Sequence, residues 1–307
     1  MVDAIAHVTV GVADLKPVFD LWIDRFGLQS VVRRTGPDPG LARLWDIPAE
    51  QIADQILVRT PGAETGWLHF VQFHKPAAPV RQGAAATDLG PKNLDVNCHD
   101  ITARYTECKA AGYSFRSAIS EYEVEDIRAR EVQMPGHDDT NVVLIEILSA
   151  GFDVRFSPQG YAGVTSCVII VPDTRIEAAF YRGLFGLDEL MHHRIAGPGI
   201  EAAVGLPKGA VLDMRLMGRQ GKLFGRMELI TYQGLEGRDR FPLSKPPATG
   251  ILHCGFAVES VPDTVQRARD AGINVDEFEN IETIFASGRM AALHSPSGLR
   301  IELYQSG

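Results

Sequence analysis

The stretch GILHCGFAVESVPDTVQRARDAGI, residues 250 to 273, places His253 near the start of an apparent β-strand with a helix directly behind it. Another apparent strand near the end of the chain, LRIELYQ, carries Glu302 directly after Ile301. Because side chains alternate between the two faces of a strand, His253 and Glu302 can share one face while Cys254 and Ile301 pack on the other. Neutral imidazole and carboxylate are groups that bind Fe(II), Mn(II), Ni(II) or Zn(II), so these residue types are consistent with metal chemistry.

Other residues with chemical potential favour structural interpretations. The stretch MPGHDDTN, residues 134 to 141, looks like a metal loop, but it occupies the hairpin position that SPSGL fills near the end of the chain, so we predict a solvated turn. The four cysteines lack CxxC spacing, which favours buried thiols in a reducing compartment. The sequence contains no P-loop, no GxGxxG after a strand and no GxSxG elbow.

The elements that carry these residues repeat along the chain. VADLKPVFDLWIDRFGL, from residue 12, and VPDTRIEAAFYRGLFGL, from residue 171, share V-x-D and F-G-L at a separation of 159 residues. The same separation relates Pro39 to Pro198, Asp54 to Asp213, and two further pairs of glycines. A register held over this length indicates an internal duplication.

A weaker similarity between residues 90–113 and 250–273 divides each half again. Each of the four modules begins with a strand-like run, continues into an amphipathic helix and closes on another strand, which predicts a βαβββ unit. We therefore expect an α+β fold with four βαβββ modules paired into two curved mixed sheets. The halves are expected at 1–150, with modules 1–75 and 90–150, and at 163–307, with modules 163–234 and 250–307.

Composition limits the function classes. The chain of 307 residues is 45% hydrophobic and 22% charged, with a formal net charge of −9 and scattered basic residues. This composition predicts a globular protein that binds neither nucleic acid nor a membrane surface, and whose partner is a small-molecule substrate. The N-terminus lacks a basic segment followed by an apolar one, so we expect a cytoplasmic protein. Four modules in one chain are consistent with a monomer or a homodimer.

An early strand histidine, V-x-D, a helix ending in FGL or AG, and a last strand reading P-x-G-x-x-I-E-L together resemble the vicinal oxygen chelate superfamily. The superfamily includes glyoxalase I, bleomycin resistance proteins and extradiol dioxygenases, and the resemblance extends over nearly the whole chain. It implies that paired modules surround one divalent metal ion, with Fe, Mn, Zn, Ni and Co as candidates, and that the ligands come from the first and last strand of each module. Carried over by position, the implied ligand positions are His7, His69, Asn93, Glu146, Ser166, Glu228, His253 and Glu302.

The pairing of modules decides which of these residues meet. Sequential pairing gives one cup with His7, His69 and Glu146 and another with Glu228, His253 and Glu302. Crossed pairing of modules one and four instead collects the metal-ligand set of His7, His69, His253 and Glu302 in one cup. We favour the crossed arrangement because it places all the good ligands together.

The resemblance implies three competing functions. The favoured one is a glyoxalase-type or epimerase-type lyase or isomerase, in which the metal stabilises an enediolate and Glu302, His69 and Glu228 are the candidate catalytic residues. The alternatives are an extradiol dioxygenase using Fe(II) or Mn(II), and a non-catalytic drug-binding resistance protein. The dioxygenase pattern places an acid/base tyrosine where this chain has Ala292, although His294 or Tyr304 could substitute.

Overall fold

The computed structural model describes residues 4–149 and 154–305. Modules one and three share an extra short helix between their second and third strands. Module one contains β1 (His7–Val12), α1 (Lys16–Val18) continuing as a π-helix (Phe19–Arg25), β2 (Gln29–Thr35), α2 (Pro39–Trp45), β3 (Ile52–Arg59) and β4 (Trp67–Phe73). Module three contains β9 (Tyr161–Ile170), α4 (Thr174–Phe185), β10 (Asp188–Ala196), α5 (Pro198–Val204), β11 (Val211–Gly218) and β12 (Arg226–Gln233).

Modules two and four follow the simpler βαβββ order. Module two contains β5 (Gly90–Cys98), α3 (Ile101–Ala110), β6 (Ser120–Val124), β7 (Ile127–Pro135) and β8 (Asn141–Ile147). Module four contains β13 (Gly250–Val258), α6 (Val261–Asp270), β14 (Val275–Glu282), β15 (Ser287–His294) and β16 (Arg300–Gln305). The expected α+β class and four-module organisation are confirmed, and the helices α2 and α5 are additions to it.

The sheets follow the crossed arrangement. Sheet one has the order β14-β15-β16-β13-β1-β4-β3-β2 and joins modules four and one, whereas sheet two has the order β10-β11-β12-β9-β5-β8-β7-β6 and joins modules three and two. In each sheet the first strands of the two modules pair antiparallel at the centre, β1 with β13 and β5 with β9. The repeated halves 1–150 and 163–307 are thus units of sequence duplication, and each sheet takes one module from each half.

The two faces of each sheet have different surroundings. Alternate residues such as Val8, Cys167, Cys254 and Ile301 belong to one large hydrophobic core that also includes residues of the helices. The opposite faces form two curved cups, which we call the first cup on sheet one and the second cup on sheet two. Burial of the first face supplies most of the hydrophobic stabilisation, which leaves the cups available for polar side chains.

A β-bulge changes the alternation at the centre of sheet one. Thr9 pairs with His253 but Val10 pairs with Ile251, so Leu252 is an extra residue on β13. Leu252 packs with the apolar residues of the first cup. A bulge of this kind re-aims neighbouring side chains, and it lets Leu252 and His253 both contribute to the cup. Within the described residues, no helix is long and apolar enough to span a membrane.

Candidate metal centre

Four of the carried-over residues converge in the first cup. His7, His69, His253 and Glu302 lie on β1, β4, β13 and β16, which are adjacent at the middle of sheet one. Their exposed fractions are 0 or 1%. Burial of so many polar groups is costly unless each is hydrogen-bonded or bound to an ion.

One oxygen of Glu302 is held firmly while the other is open. Its Oε1 accepts hydrogen bonds from the indole Nε1 of Trp45 at 2.8 Å and from the Nε of Arg300 at 3.1 Å. Its Oε2 has no hydrogen-bond partner, although it lies 3.3 Å from the Nε2 of His253. The Arg300 guanidinium is itself fixed by a 2.8 Å bond to the carbonyl of Leu44. The carboxylate is therefore oriented with Oε2 directed at the histidines.

The imidazole of His7 has the same division between a fixed and an open atom. Its Nδ1 lies 3.1 Å from the hydroxyl of Tyr304, whereas its Nε2 has no partner. The ring fits against β13 because residue 255 is glycine: a Cβ there would come within 2.2 Å of the ring carbon Cε1 of His7. His253 forms no hydrogen bond through either ring nitrogen, although its Nε2 lies within ion-pair distance of Glu302. Gly255 and Tyr304 thus position His7 from two sides.

These open atoms fit a divalent cation by donor chemistry. Two ligand atoms with bonds of about 2.1 Å to one ion lie about 3.0–3.4 Å apart at octahedral or tetrahedral angles. The 3.3 Å between His253 Nε2 and Glu302 Oε2 lies within this range. Among the described residues, however, no group of three or more His, Cys, Asp or Glu side chains is already arranged to hold a metal. The donor set is appropriate, and binding requires adjustment of at least one side chain.

His69 uses both of its nitrogens inside the protein. Its Nε2 lies 3.0 Å from Oε1 of Gln55, and its Nδ1 lies 3.4 Å from the hydroxyl of Thr9. The amide nitrogen of Gln55 donates to Asp38 at 2.7 Å, so Oε1 is the acceptor and His69 Nε2 carries the proton. His69 lies in the cup as expected, but it is engaged in this hydrogen-bond chain rather than open like His7 and His253.

Burial sets the protonation states of the cluster. It lowers the pKa of His7 to about 3, with Glu302 opposing and His253 adding to the effect. Burial also lowers the pKa of His69 well below its usual value, helped by the other two histidines. For Glu302 burial raises the pKa, but His253 and Arg300 outweigh it and the pKa lies below the usual range. Neutral imidazole and ionised carboxylate are the forms that ligate metals.

Aromatic rings cover the cluster. The Phe285 ring, in the turn between β14 and β15, lies 4.2 Å from the His7 ring and 5.2 Å from the His69 ring, measured between centroids. The Trp45 ring lies 5.6 Å from the His253 ring. These side chains close the first cup, so access to the cluster requires part of the cover to move.

Glu228 lies in the other sheet. It is on β12 and faces the second cup, together with Asn93 and Ser166. Burial, Asp95 and Glu131 raise its pKa well above the usual value. Glu228 therefore does not meet the His7, His253 and Glu302 cluster, as crossed pairing requires.

The expected ligand position at Glu146 is wrong. Glu146 accepts a 2.7 Å hydrogen bond from the backbone N–H of Asp100, the residue before α3, so it faces away from the cup. The parallel registers pair Leu94 with Val142 in module two and Cys254 with Ile301 in module four, which makes Val143 the counterpart of Glu302. Matching the letters IEI to IEL had shifted the comparison by three residues.

Several residues of the two cups were not anticipated. Arg300 and Tyr304 follow from the alternation on β16, since both lie two residues from Glu302 on the same face. Trp45 and Gln55 come from module one and have no local sequence signal that connects them to Glu302 or His69. In the second cup, Asp95 is an inward-facing charge in the run NLDVNC, which period-2 alternation from Asn93 would have indicated.

Structural comparison identifies the fold. Glyoxalase I from Zea mays superposes with a TM-score of 0.66 at 12% identity, covering 99% of this chain and 92% of the maize chain. A "putative dioxygenase" from Bacillus subtilis superposes with a TM-score of 0.59 at 13% identity, covering 98% and 84%. No protein-family model and no curated protein matches the sequence. With two eight-stranded sheets of paired modules, the chain has the glyoxalase fold that the sequence resemblance implied.

Proposed function

We propose that the protein is a metal-dependent enzyme that binds one divalent cation through His7, His253 and Glu302 and acts on a small molecule with vicinal oxygens. One observation carries the proposal: three buried ligand atoms, His7 Nε2, His253 Nε2 and Glu302 Oε2, lack hydrogen-bond partners in one cup. Buried polar atoms are nearly always paired, so three unpaired ligand atoms together are best explained by a bound ion. This proposal keeps His69 outside the ligand set.

The residue types favour oxygen-dependent chemistry over proton transfer. Two histidines and one carboxylate, with further positions open, form the donor set typical of non-haem Fe(II) oxygenases. When bound, the cation would supply Lewis acidity toward two vicinal oxygens and, as Fe(II) or Mn(II), redox chemistry toward O₂. We therefore propose ring cleavage of a catechol or hydroquinone as the reaction, ahead of the lyase or isomerase that the sequence alone favoured.

The protein side chains orient and shield this site. With Nε2 of His7 as ligand atom, Nδ1 carries the proton and donates to the Tyr304 oxygen, which fixes the ring orientation. Trp45 and Arg300 hold Oε1 of Glu302 so that Oε2 faces the cation. Phe285 and Trp45 exclude water from the cluster, which strengthens every electrostatic interaction inside it.

A glyoxalase-type or epimerase-type activity is the second candidate. It needs a base beside the substrate carbon, and His69 is the candidate because it lies in the same cup. Two observations count against it. The pKa of His69 is far below its usual value, which makes the ring a weak base. In addition, among the described residues no carboxylate except Glu302 forms a hydrogen bond or ion pair with His7, His69 or His253.

Metal analysis of the full chain tests the ligand set. Protein purified from cells supplied with Fe, Mn, Co, Ni and Zn should contain about one ion per chain. His7→Ala, His253→Ala and Glu302→Gln should each lose it while retaining the far-ultraviolet circular dichroism of the parent, because the opposite strand faces carry the packing. His69→Gln and Glu228→Gln are the matched controls and should keep it. If the first three variants retain the metal, the proposed centre is wrong.

Oxygen uptake then separates the two reactions. The Fe(II)-loaded or Mn(II)-loaded protein should consume O₂ with catechols or hydroquinones and yield ring-opened products. If the metal-loaded protein instead converts the hemithioacetal of methylglyoxal and glutathione without O₂ uptake, and His69→Gln abolishes that activity, the lyase assignment replaces ours.

A further inference from the structure

The second cup contains a cavity of about 450 Å³ on the face of sheet two equivalent to the candidate metal centre. This volume lies within the range of small-molecule sites. One wall is aliphatic and comes mainly from module three. It includes Ile195, Ile200, Leu212, Met214 and Ile230. The cavity therefore offers an apolar lining large enough for a ring system.

The floor of the cavity is polar and buried. Asp95 accepts hydrogen bonds from Ser166 and from Asn93, each at 2.6 Å. Glu131 accepts a 3.0 Å bond from the hydroxyl of Tyr122. Asp95 and Glu131 are only 3% and 7% exposed, and both line the cavity. Their carboxyl groups are thus held in place at the floor of the cavity.

Lys92 places a positive charge on the polar floor. Its ammonium is in a side chain only 6% exposed and donates a hydrogen bond, at 2.8 Å, to the hydroxyl of Tyr232. Glu131, Glu228 and Asp95 all attract this charge. Lys92 therefore offsets part of the acidic character of the floor, and the remaining carboxyl groups are left for a cationic ligand.

The charges of the lining do not balance. Asp95, Asp126, Glu131 and Glu228 line the cavity, against Lys92 and Arg226. Burial and mutual repulsion disfavour ionised carboxylates here, so a cation among them would recover attraction that the protein alone does not provide. An anion would oppose ionisation of these carboxyl groups further, and a neutral molecule would not promote it.

The repeat shows how the two cups diverged chemically. The positions of His7 and Gly255 in the first cup correspond by register to Ser166 and Asp95 in the second. In the first cup Gly255 makes room for the His7 imidazole. At the equivalent positions of the second cup, Ser166 donates a hydrogen bond to the Asp95 carboxyl group. The second cup is therefore organised around carboxyl groups rather than around metal-binding imidazoles.

We propose that the second cup binds a small organic cation with an apolar body, its ammonium against Asp95, Glu131 and Glu228 and its body against the aliphatic wall. This site is separate from the proposed metal centre and does not depend on the proposed reaction. The ligand class is that of an arylalkylamine, whose ring the wall can bury and whose charge the floor can pair.

Three indoles of similar size test the proposal on the full, metal-loaded chain. Tryptamine is cationic, tryptophol is neutral and indole-3-acetate is anionic. Isothermal titration should show tryptamine binding at least tenfold more tightly than either of the others. Equal affinity for the three, preference for indole-3-acetate, or no tryptamine binding at millimolar concentration would overturn the proposal.

Variants locate the binding. Glu131→Gln and Asp95→Asn should each weaken the binding of tryptamine by tenfold or more. Ile200→Trp fills the cavity from the aliphatic wall and should abolish binding, although it leaves the polar floor unchanged. Glu302→Gln changes the first cup alone, where it should also remove the metal, and should leave the affinity for tryptamine within twofold. Loss of tryptamine binding in Glu302→Gln, with retention in Ile200→Trp, would place the ligand in the first cup and refute the inference.

Discussion

His253 Nε2 lies 3.3 Å from Glu302 Oε2, yet neither atom has a hydrogen-bond partner. The two residues are on adjacent parallel strands, where Gly255 pairs with Glu302. This separation is the one expected of two ligands of the ion proposed above, and the residues that orient them can be tested one at a time.

Trp45→Phe should weaken metal binding by about 10- to 100-fold, the usual effect of removing a hydrogen bond to a ligating group. The variant removes the indole donor to Oε1 of Glu302 but keeps an aromatic ring over His253. Competition with a chelator of known affinity measures the change. Trp67→Phe is the matched control, because the Trp67 indole donates to the Ala63 carbonyl instead. Equal effects of the two substitutions would contradict the role assigned to Trp45.

Tyr304→Phe should weaken metal binding by a similar factor, because His7 loses the hydroxyl that fixes its ring through Nδ1. The ring itself remains, so the melting temperature should change by only a few degrees. Tyr232→Phe gives the comparison: its hydroxyl accepts from Lys92 in the second cup, and its loss should leave metal affinity unchanged. An unaltered affinity in Tyr304→Phe would show that His7 needs no support from this hydroxyl.

Phe285→Ala should speed the exchange of metal with a chelator, because the ring 4.2 Å from His7 covers the cluster. We expect the rate of metal removal to rise tenfold or more. Stopped-flow absorbance with a coloured chelator measures this rate. Phe278→Ala removes an equal ring from β14, where Phe278 packs at the margin of the same apolar cluster. If both substitutions accelerate exchange equally, general loosening of the hairpin explains the effect and Phe285 is not the cover.

Asp95→Asn should flatten the dependence of stability on pH between about 4 and 7. Burial, opposed by Ser166 and assisted by Glu131, raises the pKa of Asp95 to about 7. A carboxyl whose pKa is higher in the folded state favours folding while it is protonated, so stability falls as pH rises from about 4 to 7. The carboxamide keeps an acceptor and adds a donor, and the variant should be more stable than the parent at pH 8.

Chemical denaturation at pH 4.5, 6 and 8 measures this prediction. The groups that face Asp95 are Lys92, Glu131 and Glu228, and they remain in the variant, so part of the pH dependence will persist. Asp276→Asn, at an exposed site on β14, is the control and should reproduce the parent profile. Stability of Asp95→Asn below that of the parent at pH 8 would contradict the assignment.

The sequence was most informative where periodicity acts. A strand alternates with period 2, and the separation of 159 residues related His7 to position 166 and His69 to position 228, so the inward faces could be assigned before any coordinates. The same logic failed at Glu146 because matching IEI to IEL ignored the closing hairpins of modules two and four, whose loops, 136–140 and 295–299, are equally long and align Val143 with Glu302. Register is set by the turn as well as by the strand, and a match of letters does not include the turn.

Strand periodicity and the internal repeat do not predict contacts between segments that are distant in the sequence. Trp45 and Glu302 are 257 residues apart and meet only because α2 of module one packs over module four. The bulge that brings Leu252 and His253 to the same cup also leaves no clear mark in the sequence. The cavity of the second cup depends on side chains of two modules whose pairing was not determined by composition or motif.

The crossed sheets also say something about how such a chain could change over time. Consider a two-module polypeptide that assembles as a symmetric dimer. Its two cups have the same sequence, so every substitution appears in both cups. Once two copies are joined in one polypeptide, positions 7 and 166 can mutate separately, and they now hold histidine and serine. Fusion thus lets the two cups carry different residues at equivalent positions, although the two sheets keep the same arrangement of strands.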